Sequence, residues 1–211
     1  MYCGIDEAGR GSVMGPLVVA SVSAESDEDL IRIGVKDSKK LSPARREAMY
    51  SEIAECADWR ISVASAEEID SLRKEMSLNE IELRMFCRVV PPGVSGIIAD
   101  CPDVNEESFT SRFRSALGSD AEFTVKHKAD DTYPVVSAAS IVAKVTRDRM
   151  MEDIRGELGE TGSGYPSDRV TMNFIENWIV KNKSAPPHVR CSWEPVRAML
   201  SKRSNTKLDD W

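Results

Sequence analysis

The hydrophobic and polar positions of this 211-residue chain predict strands that come first as a pair and then alternate with helices. Apolar, β-branched or alternating runs bounded by turn residues predict strands at 2–6, 17–23, 59–65, 96–101 and 121–128. Two consecutive strands followed by strands that alternate with helices favour an α/β fold with a mixed sheet flanked by helices. A helical segment is expected after about residue 160.

Cap residues mark where the helices begin. Ser42 precedes a proline at the first helical position, Ser77 is followed three residues later by Glu80, and Asp168 precedes a further helical stretch. Helices are predicted from these three caps and at 107–117, 137–155 and 193–203. The acidic run 25–29 is expected to be a solvated loop.

Composition and charge narrow the class of protein. Hydrophobic residues make up 41% of the chain and charged residues 30%, which is typical of a soluble globular protein. No apolar stretch is long enough to span a membrane, and the early acids are not typical of a signal peptide. The net charge of −7 argues against a broad basic coat for nucleic acid. One local stretch, which contains the single acid Glu194, remains basic enough for such contacts: Lys181, Lys183, Arg190, Arg197, Lys202 and Arg203.

The cysteines indicate a reducing compartment. Their odd number and scattered spacing predict reduced thiols in a cytoplasmic protein. Together with two isolated histidines they lack the ligand spacing of a zinc site. The five positions are Cys3, Cys56, Cys87, Cys101 and Cys191.

Acidic residues end two of the predicted buried strands. Asp6 and Glu7 follow the apolar end of one strand, Asp100 follows the run GIIA, and Asp130 stands just before the longest predicted helix. Carboxylates at the ends of buried strands are costly unless paired, and a hard divalent cation such as Mg²⁺ would relieve that cost. Because adjacent strand residues point to opposite faces, Asp6 and Glu7 converge only if the strand breaks after Asp6, which the glycines that follow favour. The alternative is that the acids are surface residues in salt bridges.

Two glycine-containing turns carry further candidate binding residues. In Gly9, Arg10 and Gly11 the backbone could approach a ligand closely and offer N–H groups to a phosphate or a sugar hydroxyl. A plain tight turn explains these glycines equally well. Tyr165, between a glycine and a proline, could stack on a sugar or base or simply pack against the sheet.

The long predicted helix carries a polar stripe. Ser140, Lys144 and Arg147 lie at positions i, i+4 and i+7, so they share a face that could follow a phosphate backbone. A solvated helix face is the alternative. Lys39 and Lys40 in KDSKKLS are likewise either phosphate contacts or surface lysines.

Together these stretches resemble ribonuclease HII, the type 2 ribonuclease H family. The resemblance rests on GIDEAGRG, KDSKKL, IIADCPDVN, HKADDTYPVVSAASIVAKVTRD, GSGYPSD and VRCSW, which extend from residue 4 to residue 193 and are most similar to archaeal members. It implies a ribonuclease H-like α/β fold with a five-stranded mixed sheet flanked by helices. The expected domains are a catalytic domain at 1–160, a helical C-terminal segment packed on it at 161–203, and a tail at 204–211.

The resemblance also implies roles for individual residues. The family's four catalytic, metal-binding carboxylates match Asp6, Glu7, Asp100 and Asp130, with Asp130 a better match than Asp131. Family membership would assign recognition of a ribonucleotide 2′-hydroxyl to Gly9, Arg10 and Gly11 and stacking near the sugar to Tyr165. It would assign phosphate contacts to Lys39, Ser140, Lys144 and Arg147.

The implied activity is that of a metal-dependent endoribonuclease. It would hydrolyse RNA in RNA–DNA hybrids and at single ribonucleotides embedded in duplex DNA, cutting on the 5′ side of the ribonucleotide and leaving 3′-hydroxyl and 5′-phosphate ends. Two Mg²⁺ or Mn²⁺ ions would act on the attacking water and the leaving oxygen. The enzyme is expected to be a cytoplasmic monomer of ribonucleotide excision repair. The rival hypotheses are another nuclease or resolvase of the same fold and a clamp-associated nucleic-acid binding module without catalysis.

The C-terminal tail RSNTKLDDW contains a degenerate version of the sliding-clamp binding motif. Asn205, Leu208 and Trp211 occupy its first, fourth and seventh positions, with asparagine in place of glutamine and the second aromatic residue missing. The tail therefore predicts a sliding clamp as a partner. An unstructured end with a stray tryptophan is the alternative.

Overall fold

The computed structural model describes residues 1–35 and 42–206, with the side chains of these residues up to 202. Within them lie five strands, β1 (Tyr2–Ala8), β2 (Leu17–Ala24), β3 (Asp58–Ala64), β4 (Gly96–Asp100) and β5 (Glu122–Lys126). The same residues form nine helices, α1 (Glu28–Ile33), α2 (Pro43–Cys56), α3 (Ala66–Leu72), α4 (Leu78–Val89), α5 (Glu106–Leu117), α6 (Ala129–Thr132), α7 (Pro134–Leu158), α8 (Arg169–Asn182) and α9 (Glu194–Thr206). None of these described helices has the length and apolar composition that a membrane crossing requires.

The strands form one mixed sheet with the order β3-β2-β1-β4-β5. β1 pairs antiparallel with β2 and parallel with β4, and β4 pairs parallel with β5. β1 is therefore a central strand, which explains why Cys3 to Asp6 are all buried. The α/β fold predicted from the sequence, with a five-stranded mixed sheet, flanking helices and a helical C-terminal part, is confirmed.

The chain divides into two compact units. The sheet unit comprises Met1–Ala8, Val18–Val63 and Ser77–Thr146, and the helical unit comprises Gly9–Leu17, Ala64–Met76 and Arg147–Trp211. The helical unit has its own hydrophobic core, which includes Met14, Met151, Ile175 and Ile179. The predicted domains at 1–160 and 161–203 and the tail at 204–211 stay a prediction.

The predicted cap residues open their helices. The side chains of Ser42, Ser77 and Asp168 accept N–H groups from the first turns of α2, α4 and α8 at 3.3, 3.2 and 2.9 Å. Each bond satisfies a donor that has no partner inside the first helical turn. A capping box opens α3, a helix that sequence analysis missed: Ser65 accepts the N–H of Glu68, whose side chain accepts the N–H of Ser65.

Several boundaries differ from those predicted, and two of the differences have a clear physical reason. The acidic run 25–29, predicted to be a loop, enters α1 at Glu28, because acids in a first turn face the positive end of the helix dipole. The prediction that β1 breaks after Asp6, which was the condition set for Asp6 and Glu7 to converge, is wrong, although the negative charge of Glu7 still acts on Asp6. Glu7 pairs with Val19 and Ala8 with Val18, so the ladder to β2 carries the strand on to Ala8.

The first turns of α7 lie directly against β1. A side-chain carbon at Gly4 would lie 2.4 Å from the backbone carbon of Val135 and 2.5 Å from the backbone nitrogen of Val136. Glycine therefore lets the helix backbone touch the strand backbone. This contact brings the start of α7 next to the strand that carries Asp6.

Candidate active site

Asp6 and Asp100 lie side by side, Asp6 two residues before the end of β1 and Asp100 as the last residue of β4. β1 and β4 are parallel and their last aligned pair is Ile5 with Ala99, so the acids that follow these two residues are neighbours. Asp6 is 5% exposed and Asp100 is half-buried. The apolar runs before them draw both strands into the core, and this places two carboxylates at a buried edge.

The carboxylate of Asp6 is surrounded by like charge. Burial and the negative charges of Glu7 and Asp100 raise the pKa of Asp6 well above the usual range of an aspartate. Two donors partly offset this effect: the N–H of Glu7, 2.7 Å from Oδ1, and the hydroxyl of Ser140. Three acids are thus held within electrostatic range of one another against their mutual repulsion.

Helix α6 brings Asp130 to the same end of β4. The N–H of Ala129 donates to Oδ1 of Asp100 at 2.9 Å, so the residue next to Asp130 is tied to Asp100. The hydroxyl of Ser137 donates to the carbonyl of Asp130 and joins α6 to the start of α7. Asp130 is 7% exposed, whereas Asp131 is exposed, so Asp130 is the acid of this pair that lies at the buried edge.

The chemistry of these four acids fits a divalent cation. Mg²⁺ takes hard oxygen ligands from one or two carboxylates and keeps waters that substrate phosphate oxygens can replace. A cation held by Asp6, Glu7 and Asp100 would relieve the repulsion that raises the pKa of Asp6. Among the described residues, no group of three or more His, Cys, Asp or Glu side chains lies close enough together to hold a metal ion by itself.

In the helical unit, the loop Gly9–Leu17 contains the predicted binding turn. Gly9 has a φ of +89°, and a side-chain carbon there would lie 2.5 Å from both Nε of Arg147 and the carbonyl oxygen of Pro16, so only glycine fits. Gly11 is different, because it is exposed, its φ is not positive, and a side-chain carbon would meet none of the described atoms within 4 Å. Packing within the described chain therefore does not require glycine at position 11.

Tyr165 is supported by a buried arginine. Arg147 is 1% exposed, its guanidinium carbon lies 4.6 Å from the centre of the Tyr165 ring, and its Nη2 donates to the carbonyl of Ser163 at 3.0 Å. Burial lowers the pKa of Arg147. The carbonyl of Gly164 accepts two N–H groups from the loop Gly9–Leu17, which fixes the turn just before Tyr165. The phosphate contact predicted for Arg147 stays a prediction.

The other predicted contact residues of α7 belong to the sheet unit. The hydroxyl of Ser140 contacts the carboxylate of Asp6, and Lys144, one turn further along the helix, is half-buried. Their phosphate contacts also stay predictions. The remaining predicted positions lie outside what the structure describes: Lys39, Leu208, Trp211 and the side chain of Asn205.

Arg190, one of the local basic residues that the sequence offers for contact with nucleic acid, is completely buried. Its guanidinium donates to the carbonyls of Arg10 and Gly15. Burial, with the positive charge of Arg147, lowers the pKa of Arg190 to about 9, so it remains charged at neutral pH. The only local signal of its burial is that a valine and a cysteine flank it.

The sequence matches the family model described as Ribonuclease HII over residues 3–196. It is 42% identical over 212 residues to ribonuclease HII of Methanospirillum hungatei JF-1, with 100% of both chains covered. The crystal structure of ribonuclease H2 from Pyrococcus horikoshii OT3 matches with a TM-score of 0.88 at 39% identity, over 95% of this chain and 97% of that one. The structure of the PCNA:RNase HII complex from Archaeoglobus fulgidus gives a TM-score of 0.88 at 38% identity, over 94% of this chain and 96% of the matched chain.

The sheet order and the family match place the protein in the class of metal-dependent nucleases with a ribonuclease H-like fold. The chain belongs to the ribonuclease HII family, whose members are endoribonucleases that act on RNA–DNA hybrids. The resemblance drawn from the sequence motifs is confirmed, including its archaeal character.

Proposed function

We propose that the protein cuts RNA in RNA–DNA hybrids and also single ribonucleotides embedded in duplex DNA, on their 5′ side, leaving 3′-hydroxyl and 5′-phosphate ends. The observation that carries this proposal is the burial of Asp6 against Glu7 and Asp100 at the ends of β1 and β4. Stability alone would not gather like charges at a buried edge, and such conflicts mark functional sites. Family membership supports RNA–DNA hybrids as the substrate class.

Two divalent cations, Mg²⁺ or Mn²⁺, are proposed to be held by the four acids Asp6, Glu7, Asp100 and Asp130. When bound, such ions stabilise negative charge on the phosphate and lower the pKa of the attacking water. The chain itself holds the acceptor oxygens in place. The N–H of Glu7 and the hydroxyl of Ser140 orient Asp6, and the N–H of Ala129 orients Asp100. Oxygens that are already fixed need not reorganise as charge develops.

The turn Gly9–Arg10–Gly11 is proposed to recognise the 2′-hydroxyl, the group that distinguishes RNA from DNA. Support comes from Gly11, which is exposed and has no packing reason, within the described chain, to lack a side chain. A backbone without a side chain lets a sugar hydroxyl come within hydrogen-bond distance of peptide groups. The approach of a ligand would account for a glycine at this exposed position.

Replacing Tyr165 by alanine is expected to lower kcat/KM on a single ribonucleotide about tenfold more than on a long hybrid. One stacked ring contributes roughly 1–3 kcal/mol, and a long hybrid offers many equivalent positions for cleavage whereas a single ribonucleotide offers one. Tyr165→Phe is the matched control, because it keeps the ring that lies over Arg147. Steady-state kinetics on both substrates measures the effect, and an equal loss on both would remove the proposed role of Tyr165.

The C-terminal tail is proposed to bind a sliding clamp, with the chain acting as a cytoplasmic monomer in ribonucleotide excision repair. The neighbouring structure from Archaeoglobus fulgidus is a PCNA:RNase HII complex, which supports a clamp as partner. Asn205, Leu208 and Trp211 provide the spacing of the clamp motif.

The decisive experiment compares duplexes of one sequence that contain a single ribonucleotide, an all-RNA strand, or DNA only, together with a Holliday junction. Cleavage of the first two is expected in Mg²⁺ or Mn²⁺ and is expected to stop in EDTA. The product upstream of the single ribonucleotide should end in a 3′-hydroxyl immediately before it. Retention of the duplexes without cleavage would favour a binding module, and cleavage of the junction instead of the ribonucleotide would favour a resolvase.

A further inference from the structure

A fully buried arginine lies under the loop that carries the Gly9–Arg10–Gly11 turn. Nη1 of Arg190 donates to the carbonyl of Arg10 at 3.1 Å, and its Nε and Nη2 donate to the carbonyl of Gly15 at 3.2 and 3.0 Å. The backbone N–H of Arg190 donates to the carbonyl of Val13 at 2.8 Å. One residue thus contacts carbonyl groups along most of the loop.

These carbonyl groups and an aromatic ring stabilise the buried positive charge of Arg190. Its guanidinium carbon lies 4.9 Å from the centre of the Trp193 ring. Asp70 contributes a weak favourable charge, but its oxygens accept the N–H of Cys191 at 2.6 Å and the hydroxyl of Ser192 at 2.6 Å. Among the described residues, no carboxylate forms an ion pair with Arg190. A well-packed apolar side chain would fill the buried site of Arg190 at a lower desolvation cost. What arginine supplies there, and an apolar residue cannot, is the set of hydrogen bonds to the loop.

The bond to Arg10 sets the direction of the next peptide N–H. In a planar trans peptide, the C=O of one residue and the N–H of the next point in opposite directions. Because the carbonyl of Arg10 points at Arg190, the N–H of Gly11 points away from it, at the exposed position of the loop. The bond at Gly15 orients no second donor, because Pro16 follows it and has no N–H.

We propose that Arg190 is a positioning residue for ribonucleotide recognition, which fixes the Arg10–Gly11 peptide so that the Gly11 N–H faces the 2′-hydroxyl of the substrate. This inference rests on the function proposed above for the Gly9–Arg10–Gly11 turn. The fork of the guanidinium matters as well as its charge, since it spans two carbonyl groups of the loop at once. Lysine would keep the charge but offers a single compact head group that cannot span both.

Binding by the cleavage-defective Asp6→Asn protein tests the inference, with otherwise identical duplexes that contain one ribonucleotide or none. Adding Arg190→Lys or Arg190→Met is expected to lower the preference for the ribonucleotide duplex by roughly tenfold, with affinity for the all-DNA duplex unchanged. A purely structural role would weaken both duplexes equally and would overturn the proposal. Arg73→Met is the matched control, because Arg73 is exposed and lies 5.1 Å from the same Trp193 ring. It should keep the preference.

Thermal unfolding of each variant separates misfolding from loss of recognition. If neither Arg190 variant folds, the test is the NMR signal of the Arg190 Nη1–H group, which donates to the Arg10 carbonyl, in the unmodified chain. It should shift on adding the ribonucleotide duplex and not on adding the DNA duplex, and an equal response to both would overturn the proposal. Folded variants that keep the preference would also overturn it. An Asp6→Asn protein with no preference at all would instead contradict the function proposed for the turn, so the two failures are distinguishable.

Discussion

Asp6→Asn is expected to slow cleavage roughly a thousandfold, which corresponds to about 4 kcal/mol of transition-state stabilisation. Asparagine has the same shape and keeps an oxygen that can accept the N–H of Glu7, but it lacks the negative charge with which a carboxylate binds a hard cation. Single-turnover cleavage of the single-ribonucleotide duplex over a range of Mg²⁺ concentrations measures the loss. Activity within about tenfold of the unmodified protein would contradict the metal-binding role of Asp6.

The same substitution is expected to stabilise the metal-free protein. Burial, with the charges of Glu7 and Asp100, raises the pKa of Asp6, so the folded state binds this proton more tightly than the unfolded chain does. The contribution of Asp6 to stability is therefore greatest at low pH and is lost as the pH rises through its folded-state pKa. Asparagine does not titrate. In EDTA, Asp6→Asn should unfold at a higher Tm than the unmodified protein at pH 8, and the difference should shrink towards about pH 4. A lower Tm at pH 8 would contradict the inferred repulsion.

Asp131 provides the matched control for the acidic site. It follows Asp130 in α6, but it is exposed whereas Asp130 is buried. Asp131→Asn should keep cleavage within about twofold, because Asp131 is exposed and its loss leaves the buried acids unchanged, and an exposed substitution of this kind changes stability by no more than about 0.5 kcal/mol. If Asp131→Asn abolished cleavage while Asp130→Asn did not, the roles of the two acids would have to be exchanged.

The strand ends that carry the acids could be predicted because the pattern that places them is local. An apolar run that ends in an acid predicts an acid at or near the end of a buried strand. Asp100 is the last residue of β4, and Asp6 lies two residues before the end of β1. The exact end of β1 could not be predicted, because it depends on pairing. Val18 and Val19 of β2 hold Ala8 and Glu7 in the ladder, two residues beyond the predicted break.

The contacts of Arg190 and Ser140 could not be predicted from the local sequence. Arg190 stands in a stretch rich in lysine and arginine, but its guanidinium contacts Arg10 and Gly15, which lie 180 and 175 positions earlier. Ser140 belongs to a polar stripe of α7, and its hydroxyl contacts Asp6 at the other end of the sheet unit's sequence. Such contacts join residues far apart in the sequence, so neighbouring residues do not indicate them. A basic or polar residue is then predicted to lie at the surface.

Gly4→Ala is expected to destabilise the protein by about 3 kcal/mol, the upper part of the range for overpacking. The added methyl group would lie 2.4 Å from the backbone carbon of Val135. Helix backbone cannot rotate aside as a side chain would, so α7 has to move away from β1. Thermal denaturation should show a Tm lower by about 10 °C. Gly96→Ala on β4 is the control, because its methyl group would lie 3.4 Å from Cβ of Tyr2, an ordinary contact distance.

The displacement of α7 that Gly4→Ala causes should also move the acids of the candidate site. The displaced start of α7 carries Ser137, which holds the carbonyl of Asp130, and Ser140, which holds the carboxylate of Asp6. Moving both serines would misplace the acids by a fraction of an ångström, and errors near 1 Å cost on the order of a hundredfold in rate. We therefore expect kcat to fall at temperatures where Gly4→Ala is still folded, while Gly96→Ala keeps its rate. A folded Gly4→Ala protein with an unchanged kcat would mean that the contact between β1 and α7 does not set the geometry of the acids.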